Sequence, residues 1–316
     1  MKPRIAVILG PTAVGKSEVA FRVACALGAE IVNADSQQVY RYLDVGTDKP
    51  PEERRRAVPH HLIDVVDPDE EFSAARYRDL AAAAIEEIHG RRRPVVVCGG
   101  TGLYIKALTR GLFRPGAQDP ARRARLAAEA EESGSAPLHE RLRRVDPRAA
   151  ARIHPNDARR VIRALEVFET TGRPISEWQS RHAFGDAVYE VLEIGLERDR
   201  KELYQRIDRR CARMIELGLV DEIRELRSRG YSLGLRSLNS VGYRHMGWVV
   251  AGTMAFAEAF ELMKRDTRRL AKRQLTWFRG DRDVVWFHPE RDAETIERKI
   301  RDFLSGAPAG RSREAV

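Results

Sequence analysis

Gly10-Pro11-Thr12-Ala13-Val14-Gly15-Lys16-Ser17 decides how the rest of this chain is read. The stretch has a glycine, four free positions, then Gly-Lys-Ser, the pattern of a loop that wraps phosphate. Its flanks agree. Ile5-Ala6-Val7-Ile8-Leu9 is a short apolar run of the kind a buried parallel strand needs, and Ser17 to Leu27 has a helical pattern that closes at Gly28. Strand, loop and helix in this order turn backbone N–H groups and a helix N-terminus toward one point, where negative charge is stabilised. Lys16 adds a point charge, and the Ser17 hydroxyl is a candidate Mg²⁺ ligand. The expectation is a di- or triphosphate gripped by residues 10 to 17. Which one, the loop does not say.

The chain of 316 residues is long enough to bury a proper core, as one large domain or two. With 43% hydrophobic and 33% charged residues it suits a soluble globular enzyme, and its net charge of +9 favours a polyanionic partner. Cys25, Cys98 and Cys211 are odd in number and far apart, which reads as buried thiols in a reducing compartment, not as a zinc site or a disulfide framework. No apolar run approaches the ~20 residues of a membrane helix. The first strand begins within a few residues of the N-terminus, so a cytoplasmic protein without a signal peptide is expected, as a monomer.

Glu30-Ile31-Val32-Asn33-Ala34 reads as a second strand ending at Asp35-Ser36-Gln37-Gln38-Val39-Tyr40. Ligands of open parallel sheets sit beyond the carboxyl ends of strands, which puts Asp35 where chemistry happens; a helix N-cap is the plainer role for it. Gly46 to Pro51 is a loop, and His60 to Val66 resembles a further strand, its paired histidines packing rather than binding metal. Ser73 caps an alanine-rich amphipathic helix running to Gly90. Pro94 to Cys98 is another strand, entering the glycine-rich turn Gly99-Gly100-Thr101-Gly102-Leu103-Tyr104. That turn aims the Thr101 hydroxyl into the crevice of the phosphate loop, although a tight turn alone explains its glycines.

The character changes at Arg114. From 115 to 184 the sequence is helical, strongly charged and free of strand signals, so an all-helical insertion is expected between core segments 1–114 and 185–316. Within it Asp157 is placed to cap a helix ending near Gly172, with Val161, Leu165 and Phe168 as its apolar face. Arg159, Arg160 and Arg163 largely face elsewhere, where they can meet phosphate; a solvated face is the alternative. Strand character returns at Val188 to Leu196. Amphipathic helices follow near 200–217, 219–229 and 255–279, the last strongly basic, then a strand at Val284 to Phe287 and a short helix. The tail from Gly306 is expected to be disordered.

These motifs, in this order, resemble the tRNA dimethylallyltransferase (isopentenyl-diphosphate transferase) family: Gly10 to Ser17, Asp35 to Tyr40, Gly46-Thr47-x-Lys49-Pro50, Gly99 to Tyr104, Arg152-Ile153-His154-Pro155-Asn156-Asp157 and Ala271-Lys272-Arg273-Gln274-x-Thr276-Trp277-Phe278-Arg279. The resemblance runs from the first strand to about Arg279. Val14, where the family often has Ser, and Asp48, where it often has Ala, are small departures. The resemblance implies a P-loop NTPase-like α/β fold, a parallel sheet flanked by helices, with the insertion binding tRNA. It further implies Mg²⁺-dependent transfer of a dimethylallyl group from dimethylallyl diphosphate to N6 of the adenine just 3′ of the anticodon, in tRNAs reading codons that begin with U. The anticodon stem-loop would be the partner.

By that resemblance Asp35 is the general base, Thr101 orients the amine, and Lys16, Arg200 and Arg206 act on the diphosphate. Asp35, Ser36, Gln37 and Gln38 contact the tRNA, with Thr101, Arg123 and the run Arg159, Arg160, Val161, Ile162 and Arg163. Gly242, Tyr243 and Arg244 lie near the RNA. Three other readings compete. An adenylate prenyltransferase needs no insertion for an anticodon stem. A P-loop kinase would turn over ATP without RNA. A non-catalytic RNA-binding module leaves Asp35 and Thr101 unexplained.

Overall fold

A computed structural model describes residues 2–111, 119–182 and 188–306. The chain starts with strand β1 (Arg4–Leu9), helix α1 (Lys16–Leu27), β2 (Glu30–Asn33), α2 (Glu52–Ala57), β3 (His60–His61), α3 (Ala74–Gly90), β4 (Val95–Gly99) and α4 (Gly102–Arg110). Five helices follow: α5 (Pro120–Ser133), α6 (Ala136–Val145), α7 (Pro147–Ala150), α8 (Ala158–Thr171) and α9 (Ile175–His182). The chain then returns to strand with β5 (Glu190–Leu196), and continues through α10 (Arg200–Glu216), α11 (Leu219–Ser228), α12 (Tyr243–Val250), α13 (Phe256–Arg279), β6 (Val285–Phe287) and α14 (Ala293–Ser305).

Two compact units result, residues 1–109 with 188–316, and residues 110–187. The boundaries expected at 114/115 and 184/185, and the tail beyond Gly306, lie outside the described residues. The first unit is a six-stranded parallel sheet in the order β3-β2-β4-β1-β5-β6, flanked by helices, as expected of a P-loop fold. β1 is central, and Ile5 to Leu9 are essentially inaccessible. Burying side chains of this size stabilises the fold by ~1.5–3 kcal/mol each.

The register of three neighbouring strands positions the site. Leu9 of β1 pairs with Gly99 of β4, so the loops after both strands leave the sheet side by side. Asn33 of β2 pairs with Cys98 on the other side of β4, which delivers the Asp35 turn to the same edge. A Cβ on Gly99 would sit 2.1 Å from the Ala34 carbonyl oxygen, so glycine is the residue that lets β2 and β4 end this close.

Several local expectations are corrected. The strand foreseen over His60 to Val66 stops at His61, because Leu62 and Asp64 take positive φ of 65° and 57°. Asp64 is drawn instead into ion pairs with Lys49 at 2.6 Å and Arg55 at 2.8 Å. Cys98 and Cys211 are buried, but Cys25 is exposed on α1. Helix α12 was not foreseen.

The second unit is helical throughout its described residues, built around Leu126, Leu138, Leu142, Val161 and Leu165. Asp157 caps α8 by accepting the Arg160 N–H at 3.1 Å, and Gly172 closes it. No helix of the described residues is long and apolar enough to cross a membrane.

Candidate active site

The loop of residues 10 to 17 enters α1 at Gly15, which has no side chain with which to cap the helix. The first-turn amides are therefore left facing a cleft of about 680 Å³, lined among others by Thr12, Lys16, Ser17, Asp35, Thr101 and Arg210. This size suits a small ligand. The Lys16 ammonium donates to the Pro11 carbonyl at 2.8 Å. Burial pushes its pKa down from 10.5 to about 8, with Cys98 and Asp35 partly opposing the fall and Arg210 adding to it. A cation that has lost its hydration in this way is an acceptor site for an anion. Burial likewise pushes the Cys98 thiol up to about 11, so this cysteine is no nucleophile at neutral pH.

Beside the loop, Asp35 in the turn after β2 meets Thr101 in the turn after β4. Asp35 Oδ1 accepts the Gln37 N–H at 2.8 Å, and Thr101 Oγ1 accepts the Ser36 N–H at 2.9 Å. The Thr101 oxygen is thus held as an acceptor, which leaves its own proton to be donated elsewhere. Both side chains line the cleft, as do Ser36, Gln37 and Gln38. Gln38 Nε2 donates to the carbonyls of Thr47 and Asp48, fixing the loop that forms the opposite rim.

Arginines from α10 and from the connection between β5 and α10 hold the loop. Arg206 Nε donates to Ala13 O at 3.0 Å. Arg210 bonds the Thr12 hydroxyl and reaches the cleft. Arg198, buried, donates to Val14 O at 2.9 Å while paired with Glu290 at 2.7 Å. Sequence reasoning missed Arg198 and Arg210. A signal was available for Arg210, which follows Arg206 by one helical turn and shares its face. Arg200, six positions before Arg206, points away: it is exposed, its guanidinium over the Tyr204 ring, outside the cleft lining.

The residues expected to meet RNA are dispersed in character. Arg244 lines the cleft and pairs with Asp266 at 3.1 Å. Gly242 begins α12 at a φ of 99°. Tyr243 is 1% exposed, its hydroxyl donating to Glu222, which also accepts the N–H groups of Asp44, Val45 and Gly46. That leaves no Tyr243 surface for RNA; it is a packing residue.

In the helical unit Val161 is fully buried and Ile162 half-buried, so Val161 belongs to the core. Arg159 and Arg160 are exposed, and Arg160 lies 3.4 Å from Asp157. Arg163 is not free: with Arg123 it grips the buried Glu166 carboxylate, at 2.9 Å and 3.0 Å.

Comparison with known proteins matches this arrangement. The family model described as IPP transferase covers residues 38–281. The chain is 51% identical over 304 residues to a tRNA dimethylallyltransferase of Geobacter sulfurreducens, spanning 96% of this chain and 97% of that protein. It is 49% identical to one of Desulfatibacillum aliphaticivorans, over 96% and 99%. Among solved structures, the tRNA isopentenylpyrophosphate transferase of Bacillus halodurans superposes with a TM-score of 0.71 at 40% identity, covering 97% of this chain and 98% of that one. A eukaryotic dimethylallyltransferase described as acting on tRNA superposes with a TM-score of 0.82 at 28% identity, over 98% and 82%. The parallel sheet, the two loops at its edge and the match of sequence over nearly the whole length agree: the chain belongs to the IPP transferase family of tRNA dimethylallyltransferases.

Proposed function

We propose that this enzyme transfers the dimethylallyl group of dimethylallyl diphosphate to N6 of the adenine immediately 3′ of the anticodon, in tRNAs reading codons that begin with U. The observation that carries the reading is the meeting, in one cleft, of a phosphate loop with the Asp35–Thr101 pair. A kinase would need the loop but not that pair. The names of the relatives support tRNA over free adenylate as acceptor.

The exocyclic amine of adenine is a poor nucleophile, because its lone pair is delocalised into the ring. As its nitrogen bonds to the allylic carbon, the carbon–oxygen bond to diphosphate breaks, and the amine proton passes to the Asp35 carboxylate. General base catalysis of this kind contributes ~10²–10⁴ in rate. Thr101 orients the amine, its own oxygen already fixed by the Ser36 N–H. Charge grows on the leaving diphosphate, and Lys16 with the uncapped amides of α1 stabilises it there. Arg210 reaches the same cleft, whereas Arg206 acts by holding the loop.

Ser17 lines the cleft from the first turn of α1, and its hydroxyl is a hard oxygen donor suited to Mg²⁺. When bound there, Mg²⁺ would neutralise diphosphate charge. The target adenine must leave its stack to reach Asp35, at a cost of a few kcal/mol. The cleft rim of Ser36 to Gln38, with Arg244, recovers that cost on this reading, while the exposed Arg159 and Arg160 carry the RNA backbone, flanked by Arg123 and Arg163 on their shared Glu166 carboxylate. Diphosphate release from dimethylallyl diphosphate should require an anticodon stem-loop with the adenine present. RNA-independent hydrolysis of ATP would contradict the reading and favour a kinase.

A further inference from the structure

Gln274 sits five residues before the end of α13, between the two glycine loops. Its Oε1 accepts the Thr12 N–H at 2.8 Å, and its Nε2 donates to the Gly100 carbonyl at 2.9 Å. One planar amide therefore joins the loop after β1 to the loop after β4. Only a group with both a donor and an acceptor can make the two bonds at once. The approach is close, since a Cβ on Gly100 would lie 2.5 Å from Gln274 Nε2. One turn further along α13, Trp277 covers Gly102 just as tightly: a Cβ there would lie 2.2 Å from the indole nitrogen. The helix is thus seated on the acceptor loop at two successive turns of one face.

The contacts continue beyond Gly100. The next residue, Thr101, holds the Ser36 N–H, and Ser36 follows Asp35. A line of backbone and side-chain hydrogen bonds runs from the diphosphate loop, through Gln274, to the pair expected to receive the amine. Thr12 is tied twice: its N–H is committed to Gln274, not to an anion, and its hydroxyl accepts from Arg210.

We propose that Gln274 is a positioning residue: its amide sets the spacing between the donor loop and the Asp35–Thr101 pair, and so the distance between allylic carbon and amine. This rests on the transfer reaction proposed above. Misplacing reacting groups by about 1 Å costs roughly 10²-fold in rate. Gln274→Met keeps length and removes both hydrogen bonds. The kcat of transfer should fall roughly 10²-fold, while the KM values for donor and tRNA and the melting temperature stay close to wild type.

Gln274→Glu provides the second readout. An ionised carboxylate still accepts from Thr12 but repels the Gly100 carbonyl; a protonated one makes both bonds. At saturating donor and tRNA, the ratio of its kcat to that of wild type should rise as pH falls, while the ratio for Gln274→Met stays flat. A Met variant with near-normal kcat, or a Glu ratio insensitive to pH, would overturn the positioning role and leave the transfer reaction standing. A wild-type enzyme that transfers nothing would overturn the functional reading, and the role of Gln274 with it.

Discussion

Raising the pH should weaken diphosphate binding at an unusually low value, because of Lys16. Burial lowers its pKa from 10.5 to about 8, a displacement worth about 3 kcal/mol. A diphosphate seated against the ammonium would restore favourable surroundings and raise the pKa again. The occupied site then holds the proton more tightly than the free one, so binding takes up a proton wherever free Lys16 is neutral, above about pH 8. At pH 7 about nine in ten side chains are already charged and uptake is ~0.1 proton; at pH 9 it is ~0.9 proton. Affinity should fall by up to about tenfold per pH unit above pH 8. Isothermal titration with inorganic diphosphate and Mg²⁺, in two buffers of different ionisation enthalpy, reads the uptake directly. Diphosphate titrates in this range as well, and Lys16→Arg, charged throughout, isolates that contribution. Equal uptake by wild type and Lys16→Arg at pH 9 would refute the reasoning.

Asp35→Asn keeps the size of the side chain and loses the proton acceptor, so single-turnover transfer should slow by roughly 10²-fold or more with donor affinity almost unchanged; a near-normal rate would reduce Asp35 to the turn it makes with Gln37. Replacing Arg159, Arg160 and Arg163 together by Ala should raise the KM for tRNA far more than that for the donor, and flatten the log–log salt dependence of tRNA binding by ~0.7–0.9 per lost phosphate contact. An unchanged slope would make that face a solvated one. Gly99→Ala places a methyl against the Ala34 carbonyl oxygen, and overpacking of this kind costs ~1–3 kcal/mol; urea unfolding should show the lower midpoint, and an unshifted one would mean that the strand ends relax freely.

The fold was legible because its deciding signals are local. An apolar run before Gly10 and a helical pattern after Ser17 specify strand, loop and helix, and capping residues such as Ser73 and Asp157 mark helix starts with their own side chains. What stayed hidden depends on tertiary neighbours. The strand expected at His60 to Val66 was lost to ion pairs of Asp64 with residues 9 and 15 positions away. Tyr243 looked available because nothing near it in sequence announces Glu222 as the partner of its hydroxyl. Arg163 and Arg123 are 40 positions apart, so their shared carboxylate was equally invisible. Arg200, chosen by motif position, lies exposed at the start of α10 with its guanidinium over the Tyr204 ring, a placement that its motif does not announce.

On the proposed reading, this chain prenylates one adenine beside the anticodon. The most direct measurement uses an unmodified transcript of a tRNA that reads a codon beginning with U, incubated with the enzyme, dimethylallyl diphosphate and Mg²⁺. Nucleoside and fragment mass analysis should find N6-(dimethylallyl)adenosine at the position immediately 3′ of the anticodon, and none in a transcript with guanine there. A transcript that gains no prenyl group, or gains it at another adenine, would contradict the account.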